Sequence, residues 1–177
     1  TSFITDRPPM LLRFKEDRRT VAYMAVTTLV FVLQWTLVGF QPLLYVGYLF
    51  LSVAVTVIAH NHNHLPIFRK PFLNTLTDYW LTVFYGFPAF AWIPTHNMNH
   101  HRLNNKEGDY TITYRLTENN TLLMLLFYPT MSSYFQQKPI RDYLRNMWNG
   151  DRRKWALAAG QYLMLFVWIG TFLVLDW

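Results

Sequence analysis

No cysteine occurs among the 177 residues. Disulfides, thiolate metal sites and cysteine nucleophiles are therefore excluded, and any metal must be held by nitrogen and oxygen. Charge is also scarce. Asp, Glu, Lys and Arg make up 15% of the chain, and none falls between Thr20 and Phe68. Soluble domains average about 25% charged residues, so this deficit, with 52% hydrophobic and 18% aromatic residues, points to a membrane protein. The net charge of +6 does not make a nucleic-acid footprint, because the basic residues flank apolar runs and do not line one polar face. The first twenty residues are polar and basic, without the apolar core and cleavage site of a signal peptide.

What is present is arranged around those apolar runs. Arg7, Arg13, Lys15, Arg18 and Arg19 surround Pro8-Pro9 and form a basic lead-in suited to a headgroup surface. Residues 21–40 and 43–60 are each about one bilayer crossing at the helical rise of about 1.5 Å per residue, and Gly39 to Pro42 is a turn signal between them. They predict a transmembrane hairpin. Tyr79 to Ala91 is apolar but short and broken by Gly86 and Pro88, which predicts a re-entrant or interfacial segment. Residues 102–154 are mixed and predict amphipathic interfacial helices, with Pro129 interrupting the apolar stretch from Leu122 to Tyr134. Residues 155–175 follow Arg152, Arg153 and Lys154 and predict a third span. The positive-inside rule then puts the N-terminus, residues 61–154 and all 16 Lys and Arg on the cytoplasmic side, within a single membrane domain over 1–177.

All six histidines lie in two windows, His60-Asn61-His62-Asn63-His64 and His96-Asn97-Met98-Asn99-His100-His101. On a helix, spacings of four put His60 with His64, and His96 with His100, on one face where each pair can bind one ion. His101 points elsewhere and suits a second ion, while His62 falls nearly opposite His60 and His64. Neutral imidazole suits zinc, copper, iron and nickel. No HExxH glutamate is present, which weakens a zinc peptidase reading. Two clusters sharing one membrane face can hold two ions, the kind of centre that activates dioxygen.

HxxxH at 60–64, HxxxHH at 96–101 and the following Arg102-Leu103-Asn104-Asn105-Lys106-Glu107-Gly108-Asp109 resemble the first and second histidine boxes of the integral-membrane fatty acid desaturase and hydroxylase superfamily. The order of parts is similar too: hairpin, first box, re-entrant stretch, second box, interfacial helices, third span. The resemblance implies a desaturase-like all-α membrane fold and a di-iron centre, with zinc as a substitute metal. It also implies a lipid acyl substrate, dioxygen, and electrons from cytochrome b5 or a ferredoxin. Carried over by position, His60, His64, His96, His100 and His101 are the metal ligands, with His62 a sixth candidate. The family's third box has no counterpart, because no histidine follows His101. The expectation is accordingly an apparently incomplete desaturase-like chain, either an N-terminal piece of a longer protein, which is favoured, or a complete chain that has lost part of its metal site.

Three functional readings follow. One is a di-iron lipid desaturase or hydroxylase; a second is a carotenoid hydroxylase or ketolase, which the boxes alone do not separate from it. The third is a non-catalytic desaturase-like subunit packing in a larger membrane assembly. The asparagines between the histidines either orient the rings or cap helix ends. Asp109 either closes an ordinary turn or orients an imidazole of the second box. The tryptophans read as interfacial anchors, and Phe84, Phe87 and Phe90 as either core packing or the lining of a lipid tunnel.

Overall fold

The computed structural model describes residues 11–175, and among them every regular element is a helix. The basic lead-in at Arg7 and Pro8-Pro9, and Asp176-Trp177, lie outside the described residues. The chain divides into two compact units, Thr1–Phe87 and Pro88–Trp177.

The first unit holds α1 (Asp17–Thr36), α2 (Pro42–His64) and α3 (Pro71–Tyr85). Gly39, at φ +76°, turns the chain between α1 and α2, and the two helices pack as a hairpin. Pro42 starts α2 at a position where its missing N–H is no loss. Leu65, forced toward extended backbone by Pro66, stops it. α2 therefore runs four residues past the expected end at 60 and carries all of the first histidine cluster on helix. In α1, Thr27, Thr28 and Thr36 return their hydroxyls to carbonyls four residues back, so these polar groups sit satisfied in an apolar helix.

Pro71 starts α3, and Gly86 at φ +77° ends it. α3 begins eight residues earlier than the apolar stretch starting at Tyr79 suggested, because the amphipathic turns 71–78 belong to the same helix. At 15 residues it is about 22 Å long, shorter than a bilayer's hydrocarbon core of about 30 Å. The Trp80 indole N–H donates to Thr28 Oγ1 at 2.9 Å. Phe84 packs edge-on against Phe31 at 5.7 Å between centroids, and Phe31 in turn meets Tyr48 of α2 at 5.9 Å. These aromatics tie the three helices together.

In the second unit a 3-10 turn (Ala89–Ala91) leads into a π-helix (Ile93–His100), a short α4 (His101–Leu103), a loop over 104–121, and then α5 (Leu122–Gly150) and α6 (Arg152–Leu175). Thr121 caps α5 by accepting the Met124 N–H. Pro129 and Pro139 both lie inside α5, which continues through them for 29 residues. The interruption expected at Pro129 is therefore not found: each proline removes one donor from the ladder without ending the helix. Asp151 breaks the chain between α5 and α6 and accepts the Lys154 N–H at the start of α6. Gln161, buried in the largely apolar stretch of α6 that follows its basic first turn, accepts the Phe90 N–H at 3.0 Å, which satisfies a polar group at that depth.

α2 and α6 are long and apolar enough to cross a membrane. They coincide with the expected spans 43–60 and 155–175. The expected span 21–40 corresponds to α1, whose charged first turn and threonines leave it less apolar than the other two.

Candidate functional site

In the first unit the helical spacing does what it predicts. The His60 and His64 rings lie one turn apart on α2, with centroids 4.7 Å apart. Asn61 Oδ1 lies 3.2 Å from His60 Nδ1, so one of the intervening asparagines does contact a ring. Asn63 instead returns its amide to the Ala59 carbonyl.

His62 points the other way and is buried at 3% exposure. Its Nδ1 accepts the Ile67 N–H at 3.3 Å, and its Nε2 lies 3.4 Å from Asp78 Oδ1. Both ring nitrogens are thus engaged in holding the end of α2 against the 65–67 turn and α3. The structure does not bring His62 together with His60 and His64.

In the second unit the winding matters. Ile93–His100 makes i→i+5 bonds, and the His101 N–H reaches the His96 carbonyl. Residues five apart are therefore stacked on one face, where an α-helix would stack residues four apart. His96 and His101 consequently meet, with Nε2 atoms 3.1 Å apart. His100 stacks on His96 at 5.2 Å between centroids but turns its Nδ1 away to Asp109. The sequence spacing implied the pair His96 and His100; the π-winding brings His101 to His96.

Asp109 is fully buried and lies behind His100. Its Oδ2 accepts from His100 Nδ1 at 2.7 Å and from the Asn105 N–H at 2.8 Å. Its Oδ1 accepts from the Thr111 N–H at 2.8 Å and the Thr111 hydroxyl at 2.9 Å. Burial alone pushes its pKa up, but these donors outweigh burial and hold the carboxyl below its ordinary value. A carboxylate facing Nδ1 fixes the proton there and leaves Nε2 as the acceptor nitrogen of the ring.

The surrounding loop is built to keep Asp109 in place. Asn99, buried in the second cluster, donates to the Gly108 carbonyl and accepts the Tyr110 N–H. Asn104 and Asn105 take the left-handed conformation at φ 47° and 63°, which asparagine tolerates better than most residues. Tyr128 of α5 donates its hydroxyl to the Thr111 carbonyl at 2.8 Å. Arg115 donates to the Asp109 carbonyl and lies 3.7 Å over the Phe135 ring.

Asn99 was among the asparagines expected to orient a ring or cap a helix end and instead holds the loop at Gly108 and Tyr110, while Asn105, Thr111, Tyr128 and Asp78 were not singled out as site residues from sequence. The Asn104-Asn105 pair was the one local signal, since it marks backbone that must turn sharply. His60 and His64 in the first unit, and His96 and His101 in the second, are residues whose ring nitrogens could hold a metal ion.

An all-helical, membrane-associated chain with histidine clusters at a helix end and in a π-helix defines a membrane protein with nitrogen-rich metal-binding potential. More specifically, the model of the family described as "Fatty acid desaturase" matches residues 33–177, and the chain belongs to that family. No curated protein and no solved structure matches it.

Proposed function

We propose that the protein is a di-iron lipid desaturase or hydroxylase whose metal ligands are histidines, as its resemblance to the histidine-box proteins implies. The family match supports this class of oxidoreductase, and the facing His96 and His101 nitrogens carry the reading to the residues. With their Nε2 atoms 3.1 Å apart, His96 and His101 are close enough that both would be able to hold a single ion, which would supply the redox chemistry. His60, His64 and His100, through Nε2, supply the further nitrogens. His62, committed to Ile67 and Asp78, serves as a structural clasp.

When bound, iron supplies the dioxygen chemistry that no side chain can. The chain's own residues orient the ligands: Asp109 keeps the His100 proton on Nδ1, and the π-winding keeps His96 and His101 facing. For desaturation, one dioxygen, two electrons and two protons convert a –CH2–CH2– unit into –CH=CH– and two waters. The electrons come from a ferredoxin or cytochrome b5. The positive-inside distribution of Lys and Arg supports a cytoplasmic site, where both donors are soluble or exposed.

The test is the full chain in lipid nanodiscs with ferrous iron, a reduced donor, dioxygen and a mixed lipid extract, with products read by mass spectrometry. Lipids that lose two hydrogens or gain one oxygen, absent with His96→Ala or His101→Ala, are expected. Equal product from these variants would sink the catalytic reading.

A further inference from the structure

At the start of α1 lies a hollow of about 410 Å³, walled by Leu11, Leu12, Val21 and Phe68 and rimmed by Lys15 and Arg18. Its floor is a built feature. Leu12 and Phe68 pair in an antiparallel bridge, flanked by backbone bonds from the Arg13 N–H to the Ile67 carbonyl at 2.8 Å and from the Arg69 N–H to the Leu11 carbonyl at 3.1 Å. The Arg13 and Arg69 side chains are turned inward onto the Pro66, Leu12 and Arg13 carbonyls. Lys15 and Arg18 are left at the rim. Lys15 approaches Glu16 only at 4.0 Å, with both side chains largely exposed, a contact worth little. Asp17 accepts the Phe14 N–H.

The hollow sits beside the end of α2, a helix able to cross a membrane. That end of the hairpin carries Arg13, Lys15, Arg18, Arg19, Arg69 and Lys70 against Glu16 and Asp17, while the opposite turn, 37–42, carries no charge. An apolar wall with two cations at its mouth, at the depth where a basic helix end meets headgroups, matches a molecule with an acyl chain and a phosphate of net negative charge. A free anion leaves the wall unused, and a zwitterionic lipid leaves the cations without net complement.

We propose that this hollow is a binding site for one anionic glycerophospholipid, its phosphate between Lys15 and Arg18 and the start of an acyl chain against Val21, Leu12 and Phe68. It is distinct from the histidine clusters and does not depend on their chemistry.

The experiment is native mass spectrometry of the full chain released from nanodiscs of phosphatidylcholine alone or mixed with phosphatidylglycerol. One retained phosphatidylglycerol is expected, with phosphatidylcholine not retained. The double variant Lys15→Gln with Arg18→Gln should weaken retention about thirtyfold, from the contribution of two basic groups at an anionic surface. Val21→Trp, which fills the hollow without touching the charges, should abolish retention. Lys138→Gln with Arg141→Gln, on α5, should leave it unchanged.

Retention that survives both the charge and the filling variants overturns the proposal, as does equal retention of the two lipids. Displacement by inorganic phosphate at millimolar levels would assign a simple anion site and also overturn it. Binding seen only after removal of residues 1–10 would give the hollow to the chain's own start and overturn it likewise.

Discussion

Replacing Asp109 is the perturbation for which the structure gives the clearest magnitudes. In Asp109→Asn, the least costly amide orientation keeps oxygen toward His100 and Asn105 and turns the NH2 toward Thr111. The Thr111 hydroxyl can reverse and accept, but the Thr111 N–H loses its acceptor. One buried orphan donor costs about 1–3 kcal/mol, and loss of the carboxylate's charge weakens the remaining bonds. In Asp109→Ala, the Asn105 and Thr111 N–H groups lose their acceptor, and His100 Nδ1 is left with only the Thr111 hydroxyl at 3.1 Å. With partial relaxation the cost is about 3–5 kcal/mol.

Hydrogen exchange of the Asn105 and Thr111 amides in the metal-free chain reads the first effect, with faster exchange expected in Ala than in Asn. Metal affinity reads the second, and loss of an orienting partner of this kind lowers it about 10–100-fold. Asn should spare affinity more than Ala, because its amide oxygen can still accept from His100. Unchanged exchange and unchanged affinity in Asp109→Ala would refute the view that this carboxylate organises the second cluster.

Three other outcomes are expected. His62→Ala should keep its metal while destabilising the α2–α3 junction by about 1–3 kcal/mol, since the Ile67 N–H loses its buried acceptor; metal loss from folded protein would make His62 a ligand after all. Thr121→Ala removes the cap of α5 at a cost of about 0.5–2 kcal/mol, seen as faster amide exchange at Leu123 and Met124 with little change elsewhere. Because the Asp109 carboxyl is held below its ordinary value, its contribution to stability is fully present above the unfolded pKa near about 3.9 and is lost as pH falls through the lower folded value. Denaturation of the metal-free chain between pH 5 and pH 3 should show that loss, and Asp109→Asn should flatten it.

The sequence made the helical, membrane-associated architecture legible because long uncharged runs with turn residues between them have few other solutions. The end of α2 was misjudged by four residues, since polar histidines and asparagines interrupt hydropathy without interrupting a helix; Pro66 was the true stop. Pro129 misled in the opposite sense, being a breaker that a long helix absorbed. The histidine clusters were visible by composition alone, and the His60 and His64 pairing followed from helical spacing. The His96 and His101 pairing was not visible, because spacing arguments assume α-winding and nothing in Ile93 to His100 announces a π-helix. Asp109 was seen as one of two possibilities, and its four hydrogen bonds, drawn from residues between 100 and 111, decide between them only in three dimensions. His62 could be set apart by its angle on the helix, but its partner Asp78 lies too far along the chain for local patterning to reveal.

Iron ligation by the histidines of each cluster is the reading to test. Iron per chain should be measured in the purified full chain beside His60→Ala, His96→Ala and His62→Ala, each shown folded by its helical circular dichroism. About two irons in the unaltered protein and in His62→Ala, with loss in both His60→Ala and His96→Ala, is the expected result. Iron retained at the same level in His60→Ala and His96→Ala would contradict it.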